Sequence, residues 1–160
     1  MAGTAKNKLL TLQQLAKALK PLKKSKKIVF TNGCFDLLHA GHLSVFEKAK
    51  NLGDILIVGL NSDRSVKAIK GPQRPIVDEK NRAKLIAGFA CVDYIVIFNE
   101  PTPAQTIRKL KPNILVKGGD WKEGSIIGWE DVDQVVRIPM IRGLSTTRII
   151  ENVLNAYRPA

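Results

Sequence analysis

Cysteine is nearly absent: Cys34 and Cys91 are the two thiols in 160 residues. Two thiols cannot build a disulfide framework, and no Cys-x-x-Cys spacing offers a zinc site, so the chain reads as one carrying reduced thiols. Long apolar runs are missing as well. The longest, residues 55–60 and 94–98, have strand length and fall far short of the roughly 20 residues that a membrane helix needs. The opening Met-Ala-Gly-Thr-Ala-Lys has no apolar signal core. These absences lead us to expect a cytoplasmic protein with no membrane insertion. Acidic residues are missing from residues 1–27, which hold eight lysines, leaving 18 basic and 14 acidic residues for the other 133. Most of the net charge of +12 is therefore an N-terminal feature. That segment also lacks aromatics to stack on bases, so a solvated basic face is expected there and no nucleic-acid partner.

What the chain does have is ample apolar material, 44% of its residues, for one α/β domain. Thr11 is placed to cap a helix over residues 12–19, whose apolar positions 12, 15, 16 and 19 share a face. Strands are expected at 28–30, 54–60, 93–98, 114–116 and 135–138. Helices are expected at 43–50, from about Asp78 to Gly88, from Pro101 or Pro103 to Leu110, and from Ser145 onward. Residues 64–75 read as a basic loop or short helix, and 122–133 as polar and irregular, with Ile126, Ile127 and Trp129 covering something. Buried strands that alternate with helices imply a five-stranded parallel sheet flanked by helices. We divide the chain into a basic helix and lead-in, 1–27, and an α/β domain, 28–158.

Residues 31–42, Thr-Asn-Gly-Cys-Phe-Asp-Leu-Leu-His-Ala-Gly-His, are the part that no structural role demands. They join a strand to a helix start, a junction that aims backbone N–H groups and the positive end of a helix dipole at an anion. His39 and His42 are either ordinary surface or hydrogen-bonded turn residues or, with Gly33 near a phosphate path and Asp36 to orient a ring nitrogen, donors to phosphate oxygens. Zinc is disfavoured, for no third or fourth ligand has suitable spacing.

Gly143-Leu144-Ser145-Thr146-Thr147-Arg148 is either an ordinary capped helix start or a second anion cradle, since arginine grips phosphate with two donors. Lys117-Gly118-Gly119-Asp120 is either a plain turn or a backbone surface for a nucleobase or ribose. Lys67, Lys70, Arg74 and Arg82 are either solvated charges or a clamp on a second phosphate. These stretches all follow strands, at the sheet end where open parallel sheets bind ligands.

Residues 33–42 together with Leu144-Ser145-Thr146-Thr147-Arg148 resemble the paired signatures of the HxGH nucleotidyltransferase superfamily, in its cytidylyltransferase-like branch. Gly59-Leu60-Asn61-Ser62-Asp63, residues 70–75 and Val116-Lys117-Gly118-Gly119-Asp120 extend the likeness to the adenylyltransferases that make ADP-heptose from ATP and heptose 1-phosphate, free or fused to a kinase. The resemblance covers about residues 10–153. It implies a Rossmann-like fold and in-line attack of a sugar phosphate oxygen on the α-phosphorus of ATP, with pyrophosphate leaving and no covalent intermediate. It implies catalytic roles for His39, His42, Thr146 and Arg148. Nucleotide contacts follow for Asn32, Gly33, Cys34, Phe35, Asp36, Gly41, Lys117, Gly118, Asp120, Ser145 and Thr147. Asn61, Asp63, Lys70, Arg74 and Arg82 would face the sugar phosphate. Mg²⁺ is expected on the triphosphate with no dedicated set of protein ligands, and a homodimer is implied. The chain departs from related cytidylyltransferases at Met140, where they carry an arginine, and from the heptose relatives at Arg142, just before Gly143, where they tend to carry an acid.

Two other readings stay open on the sequence. One is a cytidylyltransferase for glycerol 3-phosphate or a similar small phosphate. The other is a non-catalytic nucleotide- or RNA-binding module that uses the basic N-terminus.

Overall fold

The structure is a computed structural model that describes residues 8–119 and 126–158. Its centre is a five-stranded, all-parallel sheet of β1 (Ile28–Gly33), β2 (Ile55–Asn61), β3 (Tyr94–Phe98), β4 (Ile114–Gly118) and β5 (Gln134–Ile138). The order across the sheet is β3-β2-β1-β4-β5. The chain therefore winds outward from β1 on one side and returns to lay β4 against β1 on the other. The switch in direction falls between β1 and β4, where open α/β sheets form their crevice. All residues of β2 are buried, as strands covered on both faces require.

Two apolar layers cover the sheet. On one face, α2 (Ala40–Lys50) and α4 (Glu79–Ala87) bring Phe46, Ala83 and Ile86 against Val29, Leu56, Val58 and Val116. On the other, α1 (Leu12–Leu19) and α5 (Ala104–Leu110) bring Leu15, Leu19, Ile107 and Leu110 against Ile28, Phe30, Ile57 and Leu115. The Thr11 cap forms as expected: Gln14 N–H donates to the threonine hydroxyl at 3.2 Å, and Thr11 N–H donates to the Gln14 side chain at 2.9 Å. Just before α1, Leu10 N–H donates to Ile95 O and Ile95 N–H to Lys8 O, which covers the outer edge of β3. α1 is thus packed into the domain while its lysines face solvent.

Two local expectations are corrected, and a third, open between loop and short helix, resolves. β1 runs to Gly33, because Asn32 and Gly33 still pair with Gly59 and Leu60 of β2. α2 begins at Ala40 rather than at residue 43, capped by His39, so both histidines belong to the helix start itself. The stretch 64–75 resolves into α3 (Asp63–Lys70), capped by Ser62 and ended at Gly71, whose φ of 96° suits glycine. The last helix, α6 (Thr146–Ala156), has no buried residue, and Val153, Leu154 and Tyr157 are all more than half exposed.

Candidate active site

The carboxyl ends of the strands enclose a cavity of about 570 Å³. β1 and the turn after it supply Asn32, Gly33, Cys34, Phe35 and Asp36 to its lining, and α2 supplies His42. From the β2 side come Asn61, Lys70 and Arg74; from β4, Lys117 and Gly118; and from the start of α6, Thr146 and Thr147. Residues 113 positions apart in the sequence therefore share one space with bases on one flank and hydroxyls on the other.

The histidine turn is built on two close approaches. A Cβ on Gly41 would lie 2.9 Å from the His39 ring, so only glycine lets that ring fold back over the first turn of α2. There His39 Nδ1 accepts the Gly41 N–H at 3.1 Å, which leaves Nε2–H as the donor of the neutral ring. The His39 ring stacks on His42 with centroids 3.8 Å apart, and Phe35 meets His42 edge-on at 5.2 Å. Phe35 holds a left-handed backbone, φ 45°, at a cost of about 1–2 kcal/mol, and its ring lies over Gly33, where a Cβ would be 2.9 Å away. Burial, reinforced by the neighbouring His39, pushes the His42 pKa down to about 4, and burial lowers that of His39 as well. Both rings are therefore neutral at pH 7. His42 Nδ1 is buried and has no hydrogen-bond partner among the described residues. Such an atom in a cavity wall suits a polar ligand.

Two sequence expectations fail here for a shared reason. Asp36 does not orient a histidine. Its carboxylate accepts from the Arg74 Nε and from the N–H groups of Ile76 and Val77, at 2.8 and 2.9 Å. Burial opposes its ionisation, but the backbone donors and the Arg74 guanidinium outweigh that and hold the carboxyl below the usual carboxylate range. Arg82 does not face the cavity. It is fully buried, with Nε donating to Val77 O at 2.8 Å, Nη1 to Cys34 O and to Asn61 O at 2.9 Å, and Nη2 to Asp63 Oδ1 at 2.7 Å. Asp63 is drawn inward with it. The protein's own carbonyls and carboxylates satisfy these charges before any ligand can.

The remaining expected residues divide by position. Ser145 caps α6, accepting Arg148 N–H at 3.1 Å, and Thr146 donates to Leu37 O at 3.3 Å, which ties the helix start to the histidine turn. Arg148 and Arg142 are exposed at the rim. Asn61 is buried, and its amide donates to Ser65 at 2.8 Å. Lys117 donates to Asn32 at the cavity floor. Asp120 lies outside the described residues. Sequence reasoning missed the apolar part of the lining, namely Val45, Ile69, Met140 and the Pro101-Thr102-Pro103 turn, together with the cavity role of Ile126 and Ile127. The turn at 101–103 follows β3, so the rule that ligands sit beyond strand ends pointed to it, whereas the scattered apolar residues carried no local signal.

A sequence model of the cytidylyltransferase-like family matches residues 30–152. The chain belongs to this family. Among curated relatives, the bifunctional protein HldE of Helicobacter acinonychis is 53% identical over 94% of this chain, and that of Citrifermentans bemidjiense 47% over 98%. The chain spans about a third, 32 and 33%, of those proteins' lengths. Among solved structures, the lipopolysaccharide core biosynthesis protein of Thermoplasma volcanium superposes with a TM-score of 0.63 at 31% identity, over 73% of this chain and 99% of that one. The pantoate-beta-alanine ligase of Francisella tularensis gives 0.58 at 19% identity, over 93% of this chain and 78% of that one, a likeness of fold alone. This cytidylyltransferase-like domain thus has the Rossmann-like nucleotidyltransferase fold that its signatures imply.

The buried guanidinium yields a test. Arg82→Met strands three carbonyls and a carboxylate and is expected to cost about 3–5 kcal/mol of unfolding free energy in urea titration, the range for breaking one side of a buried ionic network. A loss under about 1 kcal/mol would remove Arg82 from that role.

Proposed function

We propose that this chain transfers AMP from ATP to D-glycero-D-manno-heptose 1-phosphate, giving ADP-heptose and pyrophosphate for lipopolysaccharide core biosynthesis. The observation that carries the reading is the union, in one cavity, of the neutral histidine turn, the hydroxyl-rich start of α6 and the basic Lys70–Arg74 flank. Identity near 50% to HldE proteins, and likeness to a protein described by lipopolysaccharide core biosynthesis, support the choice of sugar nucleotide. We assign the chemistry to residues 28–158, with the basic segment 1–27 outside it, and place the reaction in the cytoplasm. No described helix is long and apolar enough to cross a membrane.

On this reading the sugar phosphate oxygen attacks the α-phosphorus in line, and the protein contributes position and charge stabilisation. His39 and His42 donate from neutral rings to the α- and β-phosphate oxygens. Thr146 and Thr147, with the N-terminus of α6 capped by Ser145 and with Arg148 at its rim, hold the β- and γ-phosphates. Asn32, Gly33, Cys34 and Phe35 line the path of the triphosphate, Gly41 keeps it open, Lys117 lies on the nucleotide's side of the cavity, and Gly118 and Asp120 approach the nucleoside. Lys70 and Arg74 receive the sugar phosphate beside Asn61, while Asp36, Asp63 and Arg82 hold the walls. The acceptor phosphate is already ionised, so no general base is needed.

Mg²⁺ would neutralise charge on the triphosphate. Among the described residues no group of three or more His, Cys, Asp or Glu side chains could hold a metal, and the lining carboxylate of Asp36 is taken by Arg74. The ion therefore fits as a companion of the nucleotide, which needs few protein ligands. We also propose a homodimer, supported by the unburied apolar side of α6.

Four measurements test this. Pyrophosphate release is expected with ATP plus heptose 1-phosphate, to stop on chelation with EDTA, and to be absent with CTP; turnover with CTP alone sinks the adenylyl reading. His42→Ala is expected to lower turnover about 10²–10³-fold, the range for one lost transition-state donor. The same substitution has a thermodynamic signature. His42 titrates near 4 folded and about 6.5 unfolded, so the native state loses stability as pH falls from 6.5 toward 4; His42→Ala should flatten that part of the curve, and an unchanged slope would contradict the neutral ring. Sedimentation equilibrium should give twice the single-chain mass, reduced to one chain by Leu154→Asp; a wild-type monomer would end the dimer proposal.

A further inference from the structure

Lysine is rarely buried, because its ammonium is strongly hydrated. Lys117 is nevertheless 9% exposed, in the last turn of a strand whose preceding residues are Ile114, Leu115 and Val116. Its ammonium donates to Asn32 Oδ1, and both side chains line the cavity. β1 and β4 are adjacent and in register at Thr31 and Val116, one residue before each partner. The pair thus stands at the switch point of the sheet. Lys70 and Arg74 follow β2 on one side of it, and Thr146 and Thr147 follow β5 on the other. A triphosphate held by the start of α6 and an acceptor phosphate held by the basic flank meet over the floor between them.

We propose that Lys117 is a catalytic residue of this cavity, the cation that contacts the phosphoryl group in transfer. This rests on the transferase reading above and assigns that reading's central charge to one atom, Lys117 Nζ. The assignment has a proton linkage. Burial lowers the Lys117 pKa to about 8, so in the free protein the amine loses its proton as pH rises through 8. A phosphate beside it favours the ammonium and draws a proton from solvent on binding. The other charged and titratable groups around it do not share this window. His42 and His39 are lowered and Cys34 raised by burial, and Asp36 is held low. Arg137 is its register neighbour on β5, and Arg74 lines the same cavity. Lys70 is exposed, and Asp120 lies outside the described residues.

The test is calorimetric titration of the full chain with magnesium α,β-methylene-ATP at pH 8.5, in two buffers of different ionisation enthalpy. The wild type is expected to take up roughly half a proton or more per nucleotide, while Lys117→Arg and Lys117→Met take up none. Lys117→Arg, which keeps a fixed charge, should stay within a few-fold of wild-type affinity, and Lys117→Met should lose about tenfold or more. In parallel, wild-type kcat/KM for ATP should fall about tenfold per pH unit above 8, and that of Lys117→Arg should stay level. A lysine that merely props Asn32 would leave the proton count unchanged in Lys117→Met, which overturns the proposal. Wild-type binding without uptake also overturns it alone, whereas no nucleotide binding at all overturns the transferase reading with it.

Discussion

A single buried guanidinium holds the working end of this sheet together. Arg82 lies on α4, yet its donors reach the carbonyl of Cys34 beyond β1, that of Asn61 at the end of β2, that of Val77 before its own helix, and the carboxylate of Asp63 at the start of α3. Two of these acceptors, the carbonyls of Cys34 and Asn61, lie where a strand ends. In a low-dielectric interior such groups are costly to leave unpaired, and a planar fork with five donors can satisfy several at once. The turn after β1 and the start of α3 are in this way fixed against each other, and with them the two walls that bear the histidines and Lys70.

Asp36 repeats the arrangement with the opposite sign. Its carboxylate gathers Arg74 and the backbone of Ile76 and Val77, drawing the loop between α3 and α4 onto the turn after β1. The two buried charges do not bond each other, but both hold Val77, Arg82 through its carbonyl and Asp36 through its N–H. The β1 turn, the α3 start and the 71–77 loop consequently form one unit. The opposite wall is tied less firmly: α6 reaches the turn through Thr146 and Leu37 and buries none of its own residues.

The fold was legible because its signals are local and periodic. Runs such as residues 55–60, the Thr11 cap and the glycine at 71 each act within a few positions, and all five strands appear where the apolar runs stand. The polar constellation was legible as a set for the same reason, since strand, glycine turn and helix start recur at 31–42 and 143–148. What could not be read was which charge pairs with which. Arg74 and Arg82 look alike in the sequence, but one lines the cavity and the other is sealed 48 positions from a carbonyl it holds. Asp36 stands three residues before His39, yet its partners lie about 40 positions away. Long-range pairing of buried charge depends on geometry that no short window contains. The start of α2 was misplaced for a related reason: His39 caps it with its own ring, a role that serine or aspartate usually fills.

On the transferase reading proposed above, the distribution of charge bears on how such a cavity can accelerate transfer without trapping its ligands. A cation that contacts a triphosphate equally before and during reaction raises affinity without raising turnover. In this cavity the fixed arginine, Arg74, stands on the flank and is partly spent on Asp36, while the histidines at the centre are kept neutral by burial. Neutral donors hold a ground-state phosphate weakly and gain strength as charge gathers on the oxygens they face. Phe35 and Gly33 serve that end, since the ring over the glycine path excludes water from His42. The strained backbone at Phe35 is therefore tied to function through the histidine pKa: a residue relaxed out of φ 45° would withdraw the ring, hydrate His42 and return it toward an ordinary, partly charged imidazole.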